Sequence, residues 1–163
     1  MNTEIKEMFS DAEGRYLEAD ESQKLKQFAQ SLQSRLETME AVKAAEKAIV
    51  SETLDAVWET HPEIESRYTK ARENCTRDVT LVLRYCAMAM VREDMTFLRD
   101  KMLYWLRTIL QAFQFGPILD TTYRVLPRRV EAHLTPGQVQ LLAPYLKETH
   151  RVLTKESLQP AAE

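Results

Sequence analysis

Ala71-Arg72-Glu73-Asn74-Cys75-Thr76-Arg77-Asp78-Val79-Thr80-Leu81-Val82-Leu83-Arg84-Tyr85-Cys86-Ala87-Met88-Ala89-Met90-Val91 decides how this chain folds. Val79, Val82, Leu83, Cys86 and Met90 recur at three- and four-residue steps, the period of one helical face. No glycine or proline interrupts them. Cys86 to Met90 is apolar on every side, so the end of this helix is expected to be its most buried part.

The flanking sequence keeps the same period, and no stretch alternates like a strand. Residues 3–13 read as a short amphipathic helix with Ile5, Met8, Phe9 and Ala12 on one face. Asp20-Glu21-Ser22-Gln23 reads as a capping box, with Asp20 as N-cap and Gln23 at N3. Leu25, Phe28, Ala29, Leu32 and Leu36 follow as its apolar stripe. A second run, 40–60, carries Val42, Ala45, Ile49, Leu54, Val57 and Trp58, and stops at His61-Pro62 because the α region is disfavoured before proline. The connection from Pro62 toward Asn74 is charged and lacks glycine. A helix over 95–113 carries Phe97, Leu98, Met102, Leu103, Trp105, Leu106, Ile109, Leu110 and Phe113, and Gly116-Pro117 breaks it. A helix over 118–132 follows. Thr135 as N-cap and Pro136 at N1 open the last one. The expectation is one all-α domain over 1–158, of seven or eight helices, with a frayed tail at 159–163. Spacing alone leaves a globin-like stack and a bundle both open.

Composition narrows the classes of function. With 22 basic and 25 acidic residues the net charge is −3, which argues against a general binder of nucleic acid or anionic membranes. No apolar run is long enough to span a bilayer. Met1-Asn2-Thr3-Glu4-Ile5-Lys6 lacks the basic and apolar regions of a signal peptide. The expected location is the cytoplasm, including the periphery of thylakoids, where Cys75 and Cys86 are thiols or attachment points rather than a disulfide. His61, His133 and His150 are scattered and read as surface or helix-end residues. There is no zinc spacing, no phosphate-cradling glycine loop, no nucleophile elbow, and no local base for Cys75. The protein is therefore not expected to be an enzyme. Met88, Met90, Met95 and Met102 read as core filler, and Arg124, Arg128 and Arg129 as a solvated face.

One set of residues on the central helix carries chemistry. Cys75 and Asp78 lie one turn apart and share a face, and Arg77 and Arg84 lie two turns apart on another. A cysteine can bond to a vinyl or ethylidene group, a carboxylate can accept pyrrole N–H bonds, and arginines can clamp propionates. The set suits an open-chain tetrapyrrole. A small core cysteine beside ordinary surface charges is the other reading.

Several segments together resemble the phycobiliprotein family, the bilin-carrying, globin-like proteins of cyanobacterial light-harvesting antennae. Asp11-Ala12-Glu13-Gly14-Arg15-Tyr16-Leu17 resembles the family's "DAEARYL" signature. Cys75-Thr76-Arg77-Asp78 with Leu83-Arg84 resembles its "C-x-R-D…L-R" chromophore helix, and Leu106-Arg107 sits where the family carries "G-L-R-E-T-Y". The resemblance implies a globin-like phycobiliprotein fold with a short N-terminal helical extension. It implies Cys75 as thioether to the bilin A ring, Asp78 as acceptor for the middle-ring nitrogens, and Arg77 and Arg84 as propionate partners. It implies a bilin such as phycocyanobilin or biliverdin as cofactor. Asp11 and Arg15 fall in the region used for subunit pairing, so a homodimer, or a pair with a related subunit, is implied.

The departures are as informative. Val82 and Leu81 replace aromatic residues two and three positions before the second arginine. Leu110 replaces the tyrosine of "E-T-Y". The connection before Cys75 is short and lacks glycines, the stretch from Phe113 through Leu146 differs, and no cysteine follows Cys86. Arg84-Tyr85-Cys86-Ala87-Met88-Ala89-Met90 and Leu103 to Phe113 are more similar to the small phycobilisome proteins known as bilin-biosynthesis-associated globins. That resemblance implies a non-enzymatic role in bilin metabolism, beside bilin-synthesis enzymes. A light-harvesting subunit with covalent phycocyanobilin and a pigment-free dimeric interaction module are the alternatives.

Overall fold

A computed structural model describes residues 3–64, 70–112 and 116–154. The described residues form helices joined by short turns, with no strand among them. We number the helices α1 (Thr3–Asp11), α2 (Ala19–Thr60), α3 (Ala71–Arg92), α4, α5 (Gly116–His133) and α6 (Pro136–Thr154). Helix α4 is built of Met95–Leu98, a π-helical stretch Arg99–Leu103, and Tyr104–Ala112. The ends expected at Phe113 and for the 159–163 tail lie outside the described residues.

The all-helical expectation holds, with several corrections. The runs 20–36 and 40–60 are one helix, α2, 42 residues long. Nothing between them breaks the ladder. Thr38, the residue with most reason to interrupt it, is buried and returns its hydroxyl to the Ser34 carbonyl at 2.7 Å. The helix also starts earlier than expected. Glu18, not Asp20, is the N-cap, and Glu21, not Gln23, sits at N3. The Glu18 N–H donates to the Glu21 carboxylate at 2.7 Å, and Arg15 grips the same carboxylate at 2.8 Å through both terminal nitrogens. That ion pair selects this register of two overlapping acidic ones.

The first half of α2 does not bury its apolar stripe. Leu25, Phe28 and Leu32 are half-buried and Ala29 and Leu36 exposed, whereas Arg35 and Thr38 are buried. From Val42 onward the expected face enters the core with Ile49, Leu54, Val57 and Trp58. Helix α3 lies on α2 and α6, and α5 packs on α2 and α6. Val82, Leu83 and Cys86 of α3 are fully buried beside Leu98, Leu103, Leu106, Leu126, Val130 and Leu142. Each such aliphatic side chain contributes roughly 1.5–3 kcal/mol through removal from water. The end of α3 is less uniformly buried than expected, because Met88 faces outward. Trp105 and Ile109 of α4 are likewise exposed rather than core.

Two non-glycine residues in the left-handed region bound α3: Lys70 (φ 66°) before it and Glu93 (φ 50°) after it. The start of α6 is as expected: Thr135 N–H donates to Gln138 at 3.0 Å and Gln138 N–H to the Thr135 hydroxyl at 3.4 Å. His61 is the C-cap of α2 and His133 the last residue of α5, so two of the three histidines stand at helix ends as expected, and His150 lies within α6. His61 meets Thr121, His133 meets Glu52 and His150 meets Asp120, each at 2.9 Å, so all three tie α5 to a neighbour.

Glu148 of α6 is buried and accepts from Arg151 at 2.6 and 2.7 Å and from Arg99 of the π-helical stretch. The Arg151 hydrogen bond, then that of Arg99, lowers its pKa to about 2 against burial. A depressed carboxylate stabilises the fold above its unfolded pKa, and that contribution is lost as pH falls from about 4.5 toward about 2. Acid unfolding of Glu148→Gln is therefore expected to show a shallower dependence on pH in that window, with lower stability at neutral pH. Chemical denaturation at pH 7, 4 and 3 checks this. An unchanged slope contradicts it.

Candidate functional site

Helix α3 begins at Ala71, so Cys75 and Asp78 fall in its first two turns, on the edge of its buried face. Cys75 is half-buried against the core. Burial, and secondarily the Asp78 carboxylate, pushes its thiol pKa up. The Asp78 side chain is 21% exposed, and one oxygen accepts from Arg77 Nε at 3.0 Å, with Nη2 of the same guanidinium 2.9 Å away in an ion pair. Arg77 itself is largely exposed. A carboxylate has about four lone-pair sites, so Asp78 keeps acceptor capacity for N–H donors beyond Arg77. A half-buried thiol one turn from such a carboxylate fits a linear tetrapyrrole, whose ring nitrogens carry N–H groups.

Arg84 does not join this set. It turns toward α2 and pairs with Glu46 through Nε and Nη2, both at 2.6 Å, which holds the Glu46 carboxyl below its usual range. A groove of about 550 Å³ runs between α2 and α3, lined by Arg72, Thr76, Thr80 and Arg84 on one side and Val50 and Leu54 on the other. Cys75, Arg77 and Asp78 do not line it. The structure thus brings Cys75, Arg77 and Asp78 together and leaves Arg84 in a separate ion pair.

Sequence reasoning did not single out Tyr123 of α5, which is 3% exposed and whose phenol pKa is pushed up first by burial and then by the Asp78 carboxylate. Its only sequence signal is membership of the stripe Leu119, Tyr123, Leu126, Val130, which reads as ordinary core. Val82 and Leu110, at the positions where the resemblance led one to look for aromatics, are buried aliphatics.

The phycobilisome protein family model matches residues 8–153, nearly the whole chain and all of the helices that position this site. The chain belongs to the phycobilisome protein family. It is 29% identical over 108 residues to the C-phycocyanin-2 beta subunit of Pseudanabaena tenuis, covering 63% of each chain. It is 31% identical over 102 residues to the phycobiliprotein beta chain of Mastigocladus laminosus, 60% of each, and 30% identical over 108 residues to the C-phycocyanin beta chain of Porphyra purpurea, 63% of each. The chain therefore spans less than two thirds of the length of these relatives. Among the described residues of this phycobilisome-family protein, no helix is long and apolar enough to cross a membrane.

Proposed function

We propose that this phycobilisome-family protein binds a linear tetrapyrrole on the Cys75–Asp78 face of α3 and serves bilin metabolism as a non-enzymatic carrier. The observation that carries this reading is the half-buried Asp78 carboxylate, held by Arg77, one turn from the half-buried Cys75 thiol. Asp78 would accept the ligand's ring N–H groups, Arg77 would meet a propionate, and Cys75 would hold it reversibly or by a thioether. Bound, the bilin supplies absorption of visible light. The aliphatic Val82, Leu81 and Leu110 favour a carrier over an antenna subunit. An antenna role with covalent phycocyanobilin is the second reading, and the phycocyanin beta chains among the relatives favour it.

Expression in a host that makes phycocyanobilin separates the two. A coloured native protein whose denatured band gives no zinc-induced fluorescence is the expected result. A fluorescent band that Cys75→Ala abolishes would establish the antenna-type attachment instead, and a colourless protein would overturn both. Arg84→Ala is expected to leave the colour and affinity unchanged, because Arg84 is engaged with Glu46 away from Cys75. A loss of binding on that substitution, by absorbance titration, would return Arg84 to the site.

The half-buried stripe of Leu25, Phe28 and Leu32, with exposed Leu36 on α2 and Phe9 on α1, supports pairing with a second copy or a related family subunit. Arg15 is committed to Glu21 within the same chain, so the contact would rest on the apolar stripe. Leu36→Glu is expected to convert a dimer to a monomer in light scattering. A protein that is already monomeric contradicts the pairing.

A further inference from the structure

Trp58 stands in the last turn of α2 and is 6% exposed, and its indole Nε1 is buried with no hydrogen-bond partner. An indole N–H only donates, and buried polar groups are ordinarily paired, so this one lacks an acceptor. The Trp58 side chain walls a cavity of about 500 Å³ between the end of α2 and the start of α3, together with Asp55, Glu59, Pro62 and Arg72. That volume is in the range of small-molecule sites. The Arg72 guanidinium lies over the indole, its Cζ 5.5 Å from the ring centroid, and stands 3.5 Å from Asp55. Both side chains of that long contact are more than half exposed, so they are placed to give way to an entering group.

The charges of the wall decide the class of ligand. Helix α2 ends here and α3 begins here, so their opposite end charges offset one another. Among the described residues the side chains then count two carboxylates, Asp55 and Glu59, against the guanidinium of Arg72, which disfavours an anion. The cavity suits an uncharged group with an acceptor for the indole N–H and a donor for a carboxylate. A cyclic amide carries both on adjacent atoms of a flat ring that can lie against an aromatic wall. We propose that this cavity binds a small lactam, its carbonyl accepting from Trp58 Nε1 and its N–H donating to Asp55 or Glu59. Cys75, Arg77 and Asp78 do not line the cavity, so the site is independent of the tetrapyrrole reading above.

The test is a titration of the full 15N-labelled chain with 2-pyrrolidone, observed at the indole N–H resonances. The chain has two tryptophans, and Trp105→Phe tells their signals apart. The Trp58 indole proton is expected to move downfield and saturate, as a hydrogen bond to a carbonyl requires, with the Asp55, Glu59 and Arg72 amides shifting alongside it. Acetate at the same concentrations is expected to leave the resonance in place. Trp58→Phe, followed at the Asp55 and Glu59 amides, is expected to bind about three- to ten-fold more weakly, the worth of one neutral hydrogen bond. A Trp58 resonance that stays put or drifts without saturating would overturn the inference. So would acetate moving it as far as the lactam does, which would mark an anion site, or equal affinity in Trp58→Phe.

Discussion

Arg35→Ala is expected to lower the melting temperature of this protein by about 5–15 °C. Arg35 is 1% exposed, an unusual place for a guanidinium. It is tolerated because every nitrogen is used. Nη1 donates to the Val91 carbonyl at the end of α3. Nη2 donates to the Phe28 carbonyl at 2.6 Å and the Ser31 hydroxyl at 3.1 Å, and Nε to the Ser31 carbonyl at 3.3 Å. Glu93, in its left-handed conformation, stands 3.3 Å away and also accepts from Ser31. Truncation would strand the Val91 carbonyl, open a cavity beside Phe28, and release the contact that holds Glu93. Glu93 can rehydrate, so no buried charge is left behind. Lost charged hydrogen bonds and the cavity together are worth about 2–4 kcal/mol, at roughly 2–4 °C per kcal/mol for a chain of this size. Arg35→Met, which keeps the volume without the donors, is expected to fall between. Calorimetry showing Arg35→Ala within about 2 °C of wild type would mean that α2 and α3 are joined by apolar packing alone.

The second large effect concerns the site. Asp78→Asn is expected to weaken biliverdin binding by about ten- to a hundred-fold, the loss of a charge-assisted hydrogen bond. Asparagine keeps the size and one acceptor but no charge to favour protonated ring nitrogens. The remaining bound pigment is therefore expected to absorb at shorter wavelength. Arg77→Ala is expected to do less, because Arg77 is largely exposed. Cys75→Ala should abolish any covalent product while sparing reversible binding. Unchanged affinity in Asp78→Asn would remove the carboxylate from the site.

Much of this was legible in the sequence where local periodicity and burial agree. The α3 stripe Val79, Val82, Leu83, Cys86, Met90 is the core, and the Thr135-Pro136 start is where spacing put it. The misses share a cause: they turn on partners outside the helix that carries the residue. Helix α2 is N-capped by Glu18 rather than Asp20 because Arg15 folds back onto Glu21. The stripe from Leu25 to Leu36 has the period of a core face, yet Arg35 is the buried residue because its partners lie at the end of α3. Arg77 and Arg84 share a helical face on paper, but Glu46, 38 residues away, draws Arg84 to α2. The pairing of Cys75 with Asp78 follows from one helical turn and needed no tertiary information.

The most direct measurement is an amide chemical-shift map of the 15N-labelled protein on adding biliverdin. If the Cys75–Asp78 face holds the ligand, the largest shifts will fall on Cys75, Arg77, Asp78 and Val79, with Glu46, Thr80 and Arg84 little moved. Shifts concentrated along the α2–α3 groove at Glu46, Thr76, Thr80 and Arg84, or no shifts at all, would contradict it.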